Sequence, residues 1–188
     1  MKNLLIGVVM LFFSFIAMAQ TSHQVLITYY SKTNNTKQLA EAVSKGVLSV
    51  KGVSLLMKSI TETTEQDLLN ADAIILGSPV YNANPAPEVL AFIEKWPFQK
   101  AAMANKIGAV FVTGGGISSG EELVQVNLLH SMLVFGMVVV GGGKWESAFG
   151  ASAITAEEPF NGPIKEHFLK KGEDLGKRVA EAVLRWNK

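Results

Sequence analysis

Apolar positions come in unbroken runs, separated by stretches where they recur every three or four residues. "QVLITYY" (24–30), "GVSLLMKSI" (52–60), "ADAIILGSPVY" (71–81), "KIGAVFVTGGG" (106–116) and "GMVVVGGG" (136–143) are β-rich runs and predict strands. Between them Leu39, Val43, Gly46/Val47 and Val50 fall on one helical face. "TTEQDLLNA" (63–71) opens with a Thr cap, and "APEVLAFIEKW" (86–96) has Pro87 in its first turn, both helix starts. Glu121 to Phe135 predicts a further helix, and Phe168, Leu175, Val179, Val183 and Trp186 line one face of a last one. The order is strand then helix, five times. Strands with no polar alternation are buried on both faces, as in a parallel sheet covered by helices on either side.

In such a sheet the ligand crevice lies past the carboxyl ends of the strands. Three segments meet at that rim: Ser31–Thr36, Ser78–Asn84 and Thr113–Gly120, all rich in small polar residues or Gly. The first, "SKTNNT", stands where a strand hands over to a helix. Unpaired N–H groups and the positive end of the helix dipole make that place an anion site. Ser31, Thr33 and Thr36 add hydroxyl donors, and Asn34 and Asn35 tolerate left-handed backbone angles that let N–H groups converge. One of these residues also serves as the helix cap. Only Lys32 carries charge in the six, so a phosphate there is neutralised mainly by dipoles. Neither a Walker loop nor a G-x-G-x-x-G fingerprint occurs. One phosphate at the first loop and a flat ring at the other two is the better fit.

The 188 residues and 48% apolar content suit one folded domain. The start is different in kind. Lys2 precedes an apolar run from Leu4 to Met18, and Ala17-Met18-Ala19 fits a small-x-small cleavage site before Gln20. Residues 1–19 therefore read as a signal peptide and 20–188 as the domain. The run is shorter than the roughly 20 residues of a spanning helix, so an uncleaved anchor is the lesser alternative. The expected destination is outside the cytoplasm, in the periplasm. There is no Cys, hence no disulfide and no lipid-modified Cys. Loss of residues 1–19 removes only Lys2, leaving 16 basic residues against 16 acidic. That balance argues against nucleic acid as a partner.

"YYSKTNNT", "ADAIILGSPVYNANPAPEVLAFIEKW", "TGGG" and "GMVVVGG" together resemble the flavodoxin-like superfamily, over roughly residues 24–187, and most nearly its WrbA-type NAD(P)H:quinone oxidoreductases. The resemblance implies an α/β three-layer sandwich with a five-stranded parallel sheet in the order 2-1-3-4-5, and FMN as cofactor; both come from the family, not from spacing. By position it implies that Ser31, Lys32, Thr33, Asn34, Asn35 and Thr36 hold the phosphate. It implies that Pro79, Val80, Tyr81, Asn82 and Ala83 lie along the isoalloxazine. Thr113, Gly114, Gly115 and Gly116 would approach the pyrimidine edge through backbone groups. The chain departs from the pattern in three places. Asn34 stands where family loops often have Gly. Val80-Tyr81-Asn82 replaces an Arg-Phe-Gly that bears on nicotinamide-cofactor handling. The segment after the fifth strand, which helps build the WrbA-type tetramer, is shorter, so a homo-oligomer is possible and its size is open.

The near-neutral mature charge separates two functions. Electron-carrier flavodoxins are strongly acidic, which steers them to basic partners. Neutrality favours an enzyme passing electrons to a small quinone-like acceptor, with Trp145 and Phe149 either walling that acceptor or packing as loop core. The alternative is an exported electron-transfer flavodoxin serving a protein partner; a third is a flavin-free binding protein. The electron donor outside the cytoplasm would be a membrane quinol or a redox protein. His130, in "NLLHSMLVF", reads as a core histidine; His23 and His167 carry no signal. Glu121 and Glu122 read as dipole compensation in a helix's first turn. Neither a Ser-His-Asp set nor metal-ligand spacing is present, and no catalytic side chain is identified.

Overall fold

The apolar runs do form a parallel sheet. The computed structural model describes residues 23–155 and 163–187; the expected signal peptide lies outside them. The elements are β1 (His23–Tyr29), α1 (Asn35–Leu48), β2 (Val53–Ser59), α2 (Glu65–Asn70), β3 (Ala73–Tyr81) and β4 (Asn84–Pro85). α3 (Pro87–Ile93), β5 (Ile107–Gly114), α4 (Glu121–Val134), β6 (Val138–Val139), β7 (Ala151–Ile154) and α5 (Glu166–Trp186) complete them. The order across the sheet is β2-β1-β3-β5-β6, with β7 also on β5 and the short β4 turned back antiparallel on β3. With β6 and β7 as one position, this is the expected 2-1-3-4-5.

Strand alternation sorts the core into two layers. Val25, Ile27, Ala73, Ile75, Ala109 and Phe111 face α1 and α5. Leu26, Ile74, Leu76, Val110 and Val112 face α2, α3 and α4. Each central strand is buried on both sides because each face meets a helix layer, hence the unbroken apolar runs. α2 is only six residues long and is started by a capping box. The Thr64 side chain accepts from the Asp67 N–H, and Asp67 accepts from the Thr64 N–H.

Two expectations are corrected. The fifth strand does not run through 136–143. Only Val138 and Val139 pair, with Ile107 and Gly108. The chain then leaves the sheet, makes a single 3-10 turn at Trp145–Ser147, and returns as β7 against Phe111–Gly114. The Gly142 N–H closes the excursion onto the Ser147 carbonyl at 2.8 Å. Gly150 permits the return: its φ is +139°, and a Cβ there would stand 2.2 Å from the Val110 carbonyl oxygen. The stripe on α5 also ends early. Leu175, Val179 and Val183 are fully buried, whereas Trp186 is 53% exposed.

Candidate functional site

The carboxyl ends of β1, β3, β5 and β7 frame an open cavity of about 510 Å³, within the usual range for a small-molecule or cofactor site. Lys32, Thr33, Asn35 and Thr36 come to it from the tip of α1. Pro79, Val80, Tyr81 and Asn82 come from the end of β3, and Thr113, Gly114 and Gly115 from the end of β5. Thr155, just past β7, completes the lining. The three rim segments thus converge as the topology requires.

The first loop is ordered by its own small side chains. Asn34 is left-handed at φ 70°, a backbone state that Asn tolerates. The N-cap position is Asn34, whose side chain makes no capping bond; Ser31 Oγ, from the preceding loop, accepts from the Lys37 N–H at 3.2 Å instead. The Gln38 N–H closes onto the Asn34 carbonyl at 3.0 Å. Thr33 is exposed, and its Oγ1 accepts a long bond of 3.4 Å from Asn35 Nδ2. The positive end of the α1 dipole therefore opens into the cavity.

Thr36 has a second duty that sequence did not show. Its buried hydroxyl pairs with that of Thr113 at 2.8 Å, tying α1 to β5. When Thr113 donates, Thr36 keeps its own hydrogen for a ligand. Thr36→Val strands a buried hydroxyl and is expected to destabilise the apoprotein by about 1–3 kcal/mol. Thr36→Val/Thr113→Val removes both partners and should recover stability to within about 1 kcal/mol of the parent. Urea unfolding of the two variants checks this. Strictly additive losses would mean that the hydroxyls are not coupled.

The second loop is held by a tight turn. Asn82 and Ala83 both have positive φ, at 51° and 61°, between the paired Tyr81 and Asn84. Ser78 Oγ donates to the Pro79 carbonyl at 2.8 Å and accepts from the Ala86 N–H at 3.1 Å. Ala83 lies outside the cavity lining. It packs on the third loop at Gly120, where an added Cβ would meet the Ala83 Cβ at 2.5 Å. Gly116 is half-buried and also outside the lining, as are Ser31 and Asn34.

The phenols at this rim stay protonated. Tyr30 donates to Glu88 Oε1 at 2.8 Å, and that bond raises the Tyr30 pKa. Burial raises that of Tyr81, with the Glu88 charge adding to it. Glu88 is held below the usual carboxylate range, first by its own backbone N–H and then by Tyr30. A carboxylate thus stands at the start of α3, beside the second loop.

Trp145 and Phe149 neither wall the cavity nor pack as loop core: Trp145 is 90% exposed and Phe149 45%. His130 is exposed on α4 and is not a core residue. The buried face of α4 is Val124, Gln125, Leu128 and Met132, and position 130 falls on its far side. Among the described residues no cluster of His, Cys, Asp or Glu is arranged to hold a metal ion. No helix among them is long and apolar enough to cross a membrane.

The cavity suits a phosphorylated flat cofactor on three observations. A helix tip opens into one end. Pro79–Asn82 and Thr113–Gly115, from the ends of neighbouring strands, line the rest, with little side-chain bulk on the β5 side. The Thr155 hydroxyl is buried in the lining without a hydrogen-bond partner among the described residues. Known proteins agree. The family model described as NADPH-dependent FMN reductase matches residues 54–152, more than half of the chain. A flavodoxin of Aquifex aeolicus (strain VF5) is 31% identical over 170 residues, covering 85% of this chain and 86% of its own. An NAD(P)H dehydrogenase (quinone) of Geotalea uraniireducens (strain Rf4) is 28% identical over 203 residues, covering 86% and 98%. A WrbA-like flavodoxin structure from Agrobacterium tumefaciens superimposes with a TM-score of 0.73 over 87% of this chain and 99% of its own, at 21% identity. The chain belongs to the flavodoxin-like superfamily and, within it, to the NADPH-dependent FMN reductase family, and the cofactor that goes with that membership is FMN.

Proposed function

We propose that the protein is an exported FMN oxidoreductase that passes electrons to a quinone-like acceptor. The observation that carries the reading is the convergence of a helix tip, the end of β3 and the low-bulk end of β5 on one open cavity. In this reading Lys32, Thr33, Asn35 and Thr36 hold the phosphate, with Ser31 and Asn34 shaping their loop. Pro79, Val80, Tyr81 and Asn82 lie along the ring, with Ala83 bracing their turn. Thr113, Gly114 and Gly115 bound its polar edge, with Gly116 supporting them. Bound FMN supplies reversible two-electron storage. A quinone that takes two electrons and two protons leaves as the hydroquinone. The chain's part is to bind, orient and shield, and no side chain is assigned as an obligate acid or base. The balanced charge of residues 20–188 favours a small molecule over a basic protein.

Export is supported by the Lys2, apolar run and Ala17-Met18-Ala19 pattern. Outside the cytoplasm NAD(P)H is not at hand, and Val80 removes the Arg that bears on nicotinamide handling. A membrane quinol or a redox protein is then the donor. The second reading, an electron-transfer flavodoxin, is favoured by the 31% identity to one.

One set of measurements separates them. The FMN-loaded protein should reduce a benzoquinone at a rate that depends weakly on ionic strength. NADPH should reduce the bound flavin slowly, and N-terminal sequencing of the exported chain should begin near Gln20. A rate that falls steeply with salt, seen only with a basic protein acceptor, would establish the carrier instead. A cytoplasmic chain with Met1 intact and fast reduction by NADPH would sink the export and donor assignments.

A further inference from the structure

Thr155 stands outside every segment that the sequence marks as cofactor-binding, yet it lines the cavity. Its Oγ1 is buried and has no hydrogen-bond partner among the described residues. A buried hydroxyl without a partner is costly, and one in a native structure needs an explanation. Its position supplies one. The Thr155 N–H donates to the Gly114 carbonyl at 3.1 Å, so the ladder between β5 and β7 continues one residue beyond β7. Strand alternation therefore still holds at Thr155. Ala151 and Ala153 face the α1/α5 layer, and Thr155 follows them on that side. Thr113, paired with Ala153, is on the same side, and its hydroxyl reaches Thr36 in the first turn of α1. The Thr155 hydroxyl thus belongs to the face of the sheet that looks onto the tip of α1. Ile164 lies there too: its N–H donates to Gln38 Oε1, at 3.4 Å, in the same part of the helix.

We propose that Thr155 is a ligand of the cofactor's phosphate, its hydroxyl donating to a phosphate oxygen from the β7 wall, across from the tip of α1. The proposal rests on the FMN reading above and adds a second element, beside the first loop, to the phosphate site. Valine is the isosteric probe. It deletes the donor without opening a cavity, and because the hydroxyl has no partner among the described residues it breaks no bond to them. Serine keeps the donor.

Apoprotein of the parent, Thr155→Val and Thr155→Ser is titrated with FMN and, separately, with riboflavin, which has the same ring and ribityl chain and no phosphate. Flavin fluorescence gives each Kd. The parent should prefer FMN. Thr155→Val should raise the FMN Kd about tenfold, the loss of one hydrogen bond to a charged group, and leave the riboflavin Kd unchanged. Thr155→Ser should stay within about threefold of the parent for both. Urea unfolding should show apo Thr155→Val no less stable than the parent. An unchanged FMN Kd in Thr155→Val, with the parent still preferring FMN, overturns the Thr155 assignment and leaves the FMN reading standing. Equal weakening of FMN and riboflavin overturns it too, since the contact is then to ribityl or ring. A parent that binds the two flavins equally overturns the phosphate site itself.

Discussion

Gly176→Ala should lower the unfolding free energy by about 3 kcal/mol, a large fraction of what a domain of this size has. Gly176 lies on α5 where that helix crosses α1. A Cβ there would stand 2.0 Å from the Val43 carbonyl oxygen and 3.0 Å from the Val47 nitrogen. The clash is with backbone, which cannot rotate away as a side-chain tip can. Gly46 on α1 mirrors it, with a Cβ position 2.0 Å from the Glu173 carbonyl oxygen. The two helices therefore touch backbone to backbone, closer than ordinary packed helices. Alanine would force them apart, and the loosened interface includes Leu39, Val43, Leu175, Val179 and Val183, all fully buried. Overpacking costs about 1–3 kcal/mol when the surroundings can adjust and more when they cannot. Against it stands a gain of about 1 kcal/mol from replacing Gly by Ala within a helix. The clash wins because both sides of the contact are main chain. Gly143→Ala is the control. Its nearest atom would be Arg178 Nη1 at 3.8 Å, so its effect should stay within about 0.5 kcal/mol. Urea midpoints for the two variants decide the matter. A Gly176→Ala protein as stable as the parent would mean that the helices do not make this close approach.

That crossing was half legible in the sequence. Gly46 fell on the apolar stripe with Leu39, Val43 and Val47, but nothing in α1 alone says that it meets the backbone of Glu173 and Lys177 on α5. The central strands were plain for a physical reason: covered on both faces, they carry consecutive apolar residues in place of alternating ones, as in Val25–Ile27, Ala73–Leu76 and Ala109–Val112. The sheet edge lacks that signature. Val138–Val140 and Ala151–Ile154 are two short apolar runs that share one neighbour, β5. Sequence cannot tell such a pair from a strand followed by a loop, and the glycines after Val140 read as a strand end. Thr155 was lost with the second run, because its place at the rim is visible only once β7 is known to continue β5's ladder.

The first loop shows the opposite balance. Six small polar residues at a strand–helix junction announced a ligand, and the cavity is there. Their individual duties were not legible, since small hydroxyls serve as caps, ties and donors alike. Ser31 accepts from the first turn of α1, Thr36 ties that helix to Thr113, and Asn34 supplies the left-handed turn at the N-cap. Which duty each takes depends on neighbours up to 77 positions away. His130 fails for a related reason. α4 carries apolar residues on its exposed side, Leu133 at 53% and Val134 at 71% exposure, so its sequence gives no clean inner face.

The parent protein should bind FMN at least about a hundredfold more tightly than riboflavin, and Lys32→Ala should reduce FMN affinity by less than about fivefold. The first figure follows from the donors at the tip of α1. Each hydrogen bond to a charged oxygen contributes about 1.5–3 kcal/mol, and a helix dipole about 0.3–1 kcal/mol, up to about 2 kcal/mol where partly buried. Two such bonds and the dipole exceed the roughly 2.8 kcal/mol that a hundredfold preference needs. The second figure follows from where the charge sits. Lys32 is exposed at the cavity mouth, where solvent and salt screen it. Glu88 is also close enough to feel the Lys32 charge, so the cation is not held for the ligand alone. Dipoles fixed by the backbone are neither screened in the same way nor mobile. Raising salt from low to physiological strength should accordingly change the FMN Kd little. Titration of both flavins, with parent and Lys32→Ala apoprotein at two ionic strengths, measures all of this. Riboflavin binding within about threefold of FMN would remove the phosphate from the first loop, the gap then being under about 0.7 kcal/mol. A Lys32→Ala protein that loses most of its preference for FMN would show that a point charge, and not the helix tip with its hydroxyls, holds the anion.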